Sequence, residues 1–131
     1  AAFIAGGVLT NPAGAPYTRT DKTETWNGSS WTEGNTIASP RDESSGCGTT
    51  TAGLIAGGDF PSGTVLAETY DGTSWTDISE ISGRENFAAG GTSTSAICMG
   101  ATVKTETWNG SAWTDGAGVR QKPASRIWPA A

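Results

Sequence analysis

At 131 residues the chain has the length of one small domain, and 19 glycines beside only 16% charged residues point to short strands and tight turns. The formal net charge of −5, with no cluster of Lys or Arg, argues against nucleic acid or an anionic membrane surface as partner. No apolar run is long enough to span a bilayer. The opening AAFIAGG has no initiator Met and no basic signal region, so a processed product or part of a longer chain is expected.

In chain order, Ala1 to Gly7 (AAFIAGG) is an apolar run ending in Gly6-Gly7, and the variable connection Val8 to Lys22 follows it. Next comes TETWNGSSWT, Thr23 to Thr32, which returns as AETYDGTSWT at Ala67 to Thr76 and as TETWNGSAWT at Thr105 to Thr114. Asn27-Gly28, Asp71-Gly72 and Asn109-Gly110 read as two-residue type I′ turns, so each phrase predicts a β-hairpin. That register pairs Trp26 with Ser29 and puts Glu24, Trp26 and Trp31 on one face, with Thr23, Thr25 and Thr32 on the other. Glu68, Tyr70 and Trp75, and Glu106, Trp108 and Trp113, are the equivalent residues. Such an aromatic face needs a cover, and the small face of the next unit is expected to supply it.

The apolar run also repeats, as AGLIAGG at Ala52 to Gly58, ending in Gly57-Gly58, and in shortened form as AICMG at Ala96 to Gly100. Small, Gly-rich strands precede it at Ser44 to Thr51 and Phe87 to Ser95. Each follows an arginine, Arg41 or Arg84, and Arg120 stands in the same place after the third hairpin. The unit is therefore a four-stranded antiparallel meander with a period of about 40 residues, which suits a propeller blade. Blade A covers about 1–34 and lacks its innermost strand, blade B about 41–78 and blade C about 84–115. The tail 116–131 is a candidate closing strand, against which Pro123 and Pro129 count.

The double glycine after an apolar strand, the aromatic before a turn, the later Trp and the following arginine resemble the kelch repeat of galactose-oxidase-like β-propellers, over nearly the whole chain to about Arg120. The wording of the repeats is also similar to kelch-like repeats in structural proteins of tailed phages, marine ones especially. The resemblance implies an all-β propeller with about three blades per chain. Closed propellers have four to eight blades, so a ring from more than one chain is expected, or else a fragment of a longer propeller or an open stack.

The oxidase branch of that family would use imidazole and phenolate copper ligands, and this chain has no histidine and only Tyr17 and Tyr70. No enzyme, metal or cofactor is expected. Because Glu24, Glu68 and Glu106 recur in every unit, they read as structural groups that bond a Trp indole or a neighbouring unit's arginine. Five of the six tryptophans occupy repeated positions and read as packing residues, Trp128 being outside the pattern. Cys47 and Cys98 read as small buried hydrophobes, their oxidation state left open. The unequal connections carry the candidate recognition residues Tyr17, Arg19 and Asp21, with Phe60 from Asp59 to Leu66.

The expected function is thus a non-enzymatic structural protein, virion-associated in a phage tail fibre, tail tip or surface decoration, serving assembly or host attachment. Its expected location is the virion or the extracellular space. Its expected partners are copies of itself, other virion proteins or a host-surface glycan, without nucleic acid and without membrane insertion. A carbohydrate-binding module is the alternative, and a galactose-oxidase-like enzyme stands behind both.

Overall fold

The computed structural model describes residues 1–10, 16–59 and 63–118. Among these residues there is no helix, and every strand pairing is antiparallel. A first sheet joins β1 (Ala2–Ala5), β4 (Thr23–Trp26) and β5 (Trp31–Glu33) in that order, while β2 (Val8–Leu9) and β3 (Thr18–Arg19) form a separate ribbon. A second sheet is the meander β6 (Ser45–Thr49), β7 (Ala52–Ala56), β8 (Ala67–Tyr70) and β9 (Trp75–Asp77). A third repeats it with β10 (Ala88–Thr92), β11 (Ser95–Gly100), β12 (Thr102–Trp108) and β13 (Trp113–Asp115). No sheet closes on itself. The expected innermost, apolar and hairpin strands are all present, and the first sheet has no counterpart of β6 and β10. The tail 119–131, with Arg120 and Trp128, lies outside the described residues, as does Phe60.

The hairpins differ from expectation in their turns. Trp26 pairs with Trp31, not with Ser29, and Thr25 with Thr32, so four residues, Asn27 to Ser30, make the connection. The reason is side-chain capping. Asn27 Oδ1 accepts the Ser29 and Ser30 N–H groups at 2.9 and 3.0 Å, a local bond that stabilises an open turn with only the glycine left-handed, Gly28 having φ 113°. Asp71 does the same for Thr73 and Ser74, and Asn109 for Ser111 and Ala112. The face assignment survives, because both registers leave Glu24, Trp26 and Trp31 on one side. The paired rings now sit directly opposite one another, with centroids 5.4 Å apart for Trp26–Trp31, 4.8 Å for Tyr70–Trp75 and 5.3 Å for Trp108–Trp113.

Two backbone devices join consecutive units. The Gly7 N–H donates to the Arg41 carbonyl at 2.7 Å, and the Gly58 N–H to the Arg84 carbonyl at 2.8 Å. The glycine before each is left-handed, and a Cβ there would stand 2.5 Å from Arg41 O at Gly6 and 2.6 Å from Arg84 O at Gly57. Only glycine permits both the conformation and the approach. Two residues after each arginine the chain turns through a left-handed non-glycine, Glu43 at φ 54° and Asn86 at φ 53°.

The sheets stack through side chains. Leu54, Ala56, Ala67, Ile81, Ala96, Cys98 and Trp108 form the buried core between the second and third sheets, with Ile78, Phe87 and Trp113 packed against it. Between the first and second, Phe3 lies against Trp75 and Tyr70, with ring centroids 6.1 and 6.3 Å away. The innermost strands β6 and β10 run side by side, the Ala89 N–H donating to Ser45 Oγ at 2.8 Å.

Candidate functional site

The repeated chemistry of the molecule is its junction between sheets. The second and third hairpins each send their aromatic face onto the small face of the unit before, so the aromatic face covers the preceding unit rather than the following one. Glu68, on the aromatic face of the second sheet, accepts the Arg41 Nη2–H at 2.7 Å and the Ala38 N–H at 2.8 Å. Both groups come from the segment that leaves the first hairpin, and the paired side chains are 0% and 2% exposed. Glu106 repeats this with the Arg84 guanidinium and the Ser82 N–H, the latter at 3.0 Å. The carboxylates thus meet a neighbouring unit's arginine, as one of the two sequence expectations had it. Removing either partner would strand a buried charge.

The two junctions are not identical. The Trp75 indole N–H donates to Thr23 Oγ1 at 2.8 Å. At the corresponding place under Trp113 stands Ala67, and the buried Trp113 Nε1 has no partner among the described residues. Arg84 also donates to the Ser82 and Lys104 carbonyls, whereas Arg41 Nε and Nη1 have no partner among the described residues.

The first sheet breaks the pattern. Among the described residues no unit stands in front of its aromatic face: Trp31 is 49% exposed and Ile4 50% exposed, against 4% for the equivalent Ile55. The expectation that Trp31 is covered is therefore corrected. Among the described residues no hydrogen bond or ion pair reaches the Glu24 carboxylate, although Lys22 nearby is bonded to Glu33 at 2.8 Å. Alongside, a groove runs between the free edge of β1 and the face of β6, lined by Ala2, Ile4, Gly46, Gly48 and Ile55 among others. It occupies the place where a Gly-rich strand like β6 or β10 would pair with β1.

The sequence-predicted recognition residues are only partly gathered. The connection holding Tyr17, Arg19 and Asp21 contains the β2–β3 ribbon, which two-residue strands do not announce in a sequence. Tyr17 is 80% exposed and shares a shallow groove with Val8, Pro16, Arg19 and Asp42. Arg19 is bound on both sides, by Asp42 at 2.5 Å and by Asp59, and the Asp42 bond raises its pKa further. Asp21 does not line this groove; its carbonyl accepts the Ile37 N–H at 2.9 Å, a structural bond.

Burial pushes Cys98 up to about 12 and raises Cys47 as well, and both are free. Among the described residues no three His, Cys, Asp or Glu come together as metal ligands would. No family model matches the chain, and no curated protein is significantly similar to it.

Proposed function

We propose that the chain is a non-enzymatic structural and interaction module, a kelch-like β-propeller segment whose sheets act as blades in a ring built from more than one chain. The observation that carries this reading is the junction repeated between consecutive sheets, with Glu68–Arg41 and Glu106–Arg84 buried at equivalent places. A unit that joins its neighbours by one fixed chemistry is built for propagation, and sheets that meet at their Gly-rich inner strands, β6 beside β10, suit a radial arrangement. The likeness of the repeats to those of tailed-phage structural proteins supports a virion component that displays the connections for assembly or host attachment.

Electron microscopy of the purified assembly tests the ring. Radial sheets about a central channel are expected, and a straight unbranched stack would refute the propeller. For the virion reading, purified virus particles should contain the chain in stoichiometric amount by mass spectrometry, and its absence would contradict it. One observation favours glycan binding as a second reading: Tyr17 offers a bare ring beside the bonded Arg19 and Asp42, the pairing of an apolar platform with fixed polar groups that sugars need. A glycan array on which wild type and Tyr17→Ala give the same signal would rule this groove out.

A further inference from the structure

We infer that the bare aromatic face of the first sheet, formed by Glu24, Trp26 and Trp31 with Ala2 and Ile4, is the docking surface for the outer face of the third sheet of a second copy. The inference rests on the assembly reading above and names the surfaces that carry it.

The molecule contains the template twice. Where an aromatic face is covered, the cover is the small face of the preceding hairpin together with the segment leaving it. That face supplies an apolar residue under the ring pair, Phe3 or Leu54. It also supplies an arginine and a backbone N–H to the Glu carboxylate, and at the first junction a Thr hydroxyl to the indole. Of that set, the described residues of the third sheet offer the apolar residue and the hydroxyl. Ile97 pairs with Thr107 in the register that pairs Phe3 with Thr25 and Leu54 with Thr69, so Ile97 stands on the outer face.

Thr105 occupies the position of Thr23. Its hydroxyl hydrogen goes to the Ala117 carbonyl at 2.8 Å, which leaves the oxygen lone pairs free to accept an indole N–H. This is the acceptor that Ala67 fails to offer Trp113. The charge also fits. Arg120, outside the described residues, follows the third hairpin in the sequence as Arg41 and Arg84 follow the first two, and among the described residues Glu24 is the one repeated glutamate without an arginine bonded to it.

The contact is therefore heterologous, head to tail: Trp31 of one copy against Thr105 of the next and Trp26 against Thr107. An interface of this kind propagates, closing where the rotation permits. A head-to-head contact of two aromatic faces would bring two Glu24 carboxylates together without a cation, and charge disfavours it.

Complementation by sedimentation velocity tests the proposal. A head variant, Glu24→Arg/Trp31→Ser, and a tail variant, Thr107→Arg, alter exposed or half-buried positions, and near-ultraviolet circular dichroism checks that each is folded. Wild type should associate at micromolar concentration. Each variant alone should bind itself at least about tenfold more weakly, the loss expected for a buried tryptophan anchor or a misplaced charge. Mixed together, the two variants should recover a heterodimer, because the intact head of one meets the intact tail of the other. A head variant that associates as wild type does would overturn the proposal, and so would a tail variant that does, or a mixture that stays as weak as its components. A wild-type chain that remains monomeric would overturn both this inference and the assembly reading. A linear head-to-tail chain would leave the inference standing and remove only the ring.

Discussion

Replacing Trp75 and Trp31 in parallel separates a covered aromatic position from a bare one. Trp75 lies 4.8 Å from Tyr70 and 6.1 Å from Phe3, and its indole N–H is bonded to Thr23 at 2.8 Å. Truncating a fully buried aromatic to alanine costs about 3 to 5 kcal/mol. Trp75 keeps a partly exposed margin, so Trp75→Ala is expected at the lower end, about 3 kcal/mol. Of that, about 1 kcal/mol belongs to the indole bond and a similar amount to the ring pairing. Trp31, with one ring partner and 49% exposure, should cost about 1 kcal/mol in the monomer. Urea denaturation followed by far-ultraviolet circular dichroism, at concentrations too low for association, gives both numbers. A Trp75→Ala chain within about 0.5 kcal/mol of wild type, or a Trp31→Ala chain as damaged as Trp75→Ala, would refute the stacking direction.

Three further outcomes follow from the same contacts. Trp113→Phe removes an indole N–H that has no partner among the described residues, so it should change stability by less than about 1 kcal/mol, whereas Trp75→Phe loses a bond and should cost more; equal losses in urea melts would contradict the distinction. Gly57→Ala must fit a Cβ 2.6 Å from Arg84 O at φ 59° and should destabilise by about 2 kcal/mol or more, while Gly28→Ala, in open space though also left-handed, should cost less. The Ser74 and Thr73 N–H groups hold the Asp71 carboxylate below its ordinary value of 3.8. Its folded pKa is therefore depressed, and its contribution is present above the unfolded pKa and lost as pH falls through the folded one. Carboxyl-carbon NMR should find Asp71 titrating below 3.8, and a normal midpoint would show that the turn bonds do not form in solution.

What the sequence made legible was whatever recurs. The three hairpin phrases, the apolar strands and the Gly-rich strands are all where the spacing put them, because alternation and Asn-Gly or Asp-Gly punctuation are local signals. Turn size was not legible. Asn27-Gly28 serves a two-residue turn and an Asx-capped four-residue turn equally well, and the choice falls to the serine N–H groups that follow. Nor was the direction of stacking, since an aromatic face and a small face in every unit fit together in either order. For Glu68 and Glu106 the recurrence left two partners open, a Trp indole or a neighbouring unit's arginine, and the choice of Arg41 and Arg84 emerges only when a hairpin of one unit meets the exit segment of another. Glu43, left-handed without being glycine, carries no sequence mark at all. The glycine pairs were read as strand ends, and their closer purpose, admitting the Arg41 and Arg84 carbonyls, depends on contacts tens of residues away.

One buried Glu–Arg contact recurs between consecutive sheets, and a double-mutant cycle on Arg41→Met and Glu68→Leu measures what it contributes. The two side chains are 0% and 2% exposed, so each single change should be strongly destabilising and the double change much less than their sum. A coupling of about 2 kcal/mol or more is predicted, beside less than about 0.5 kcal/mol for the exposed Lys22–Glu33 pair as control. Additive losses at Arg41 and Glu68, within about 0.5 kcal/mol, would show that the pair does not join the sheets.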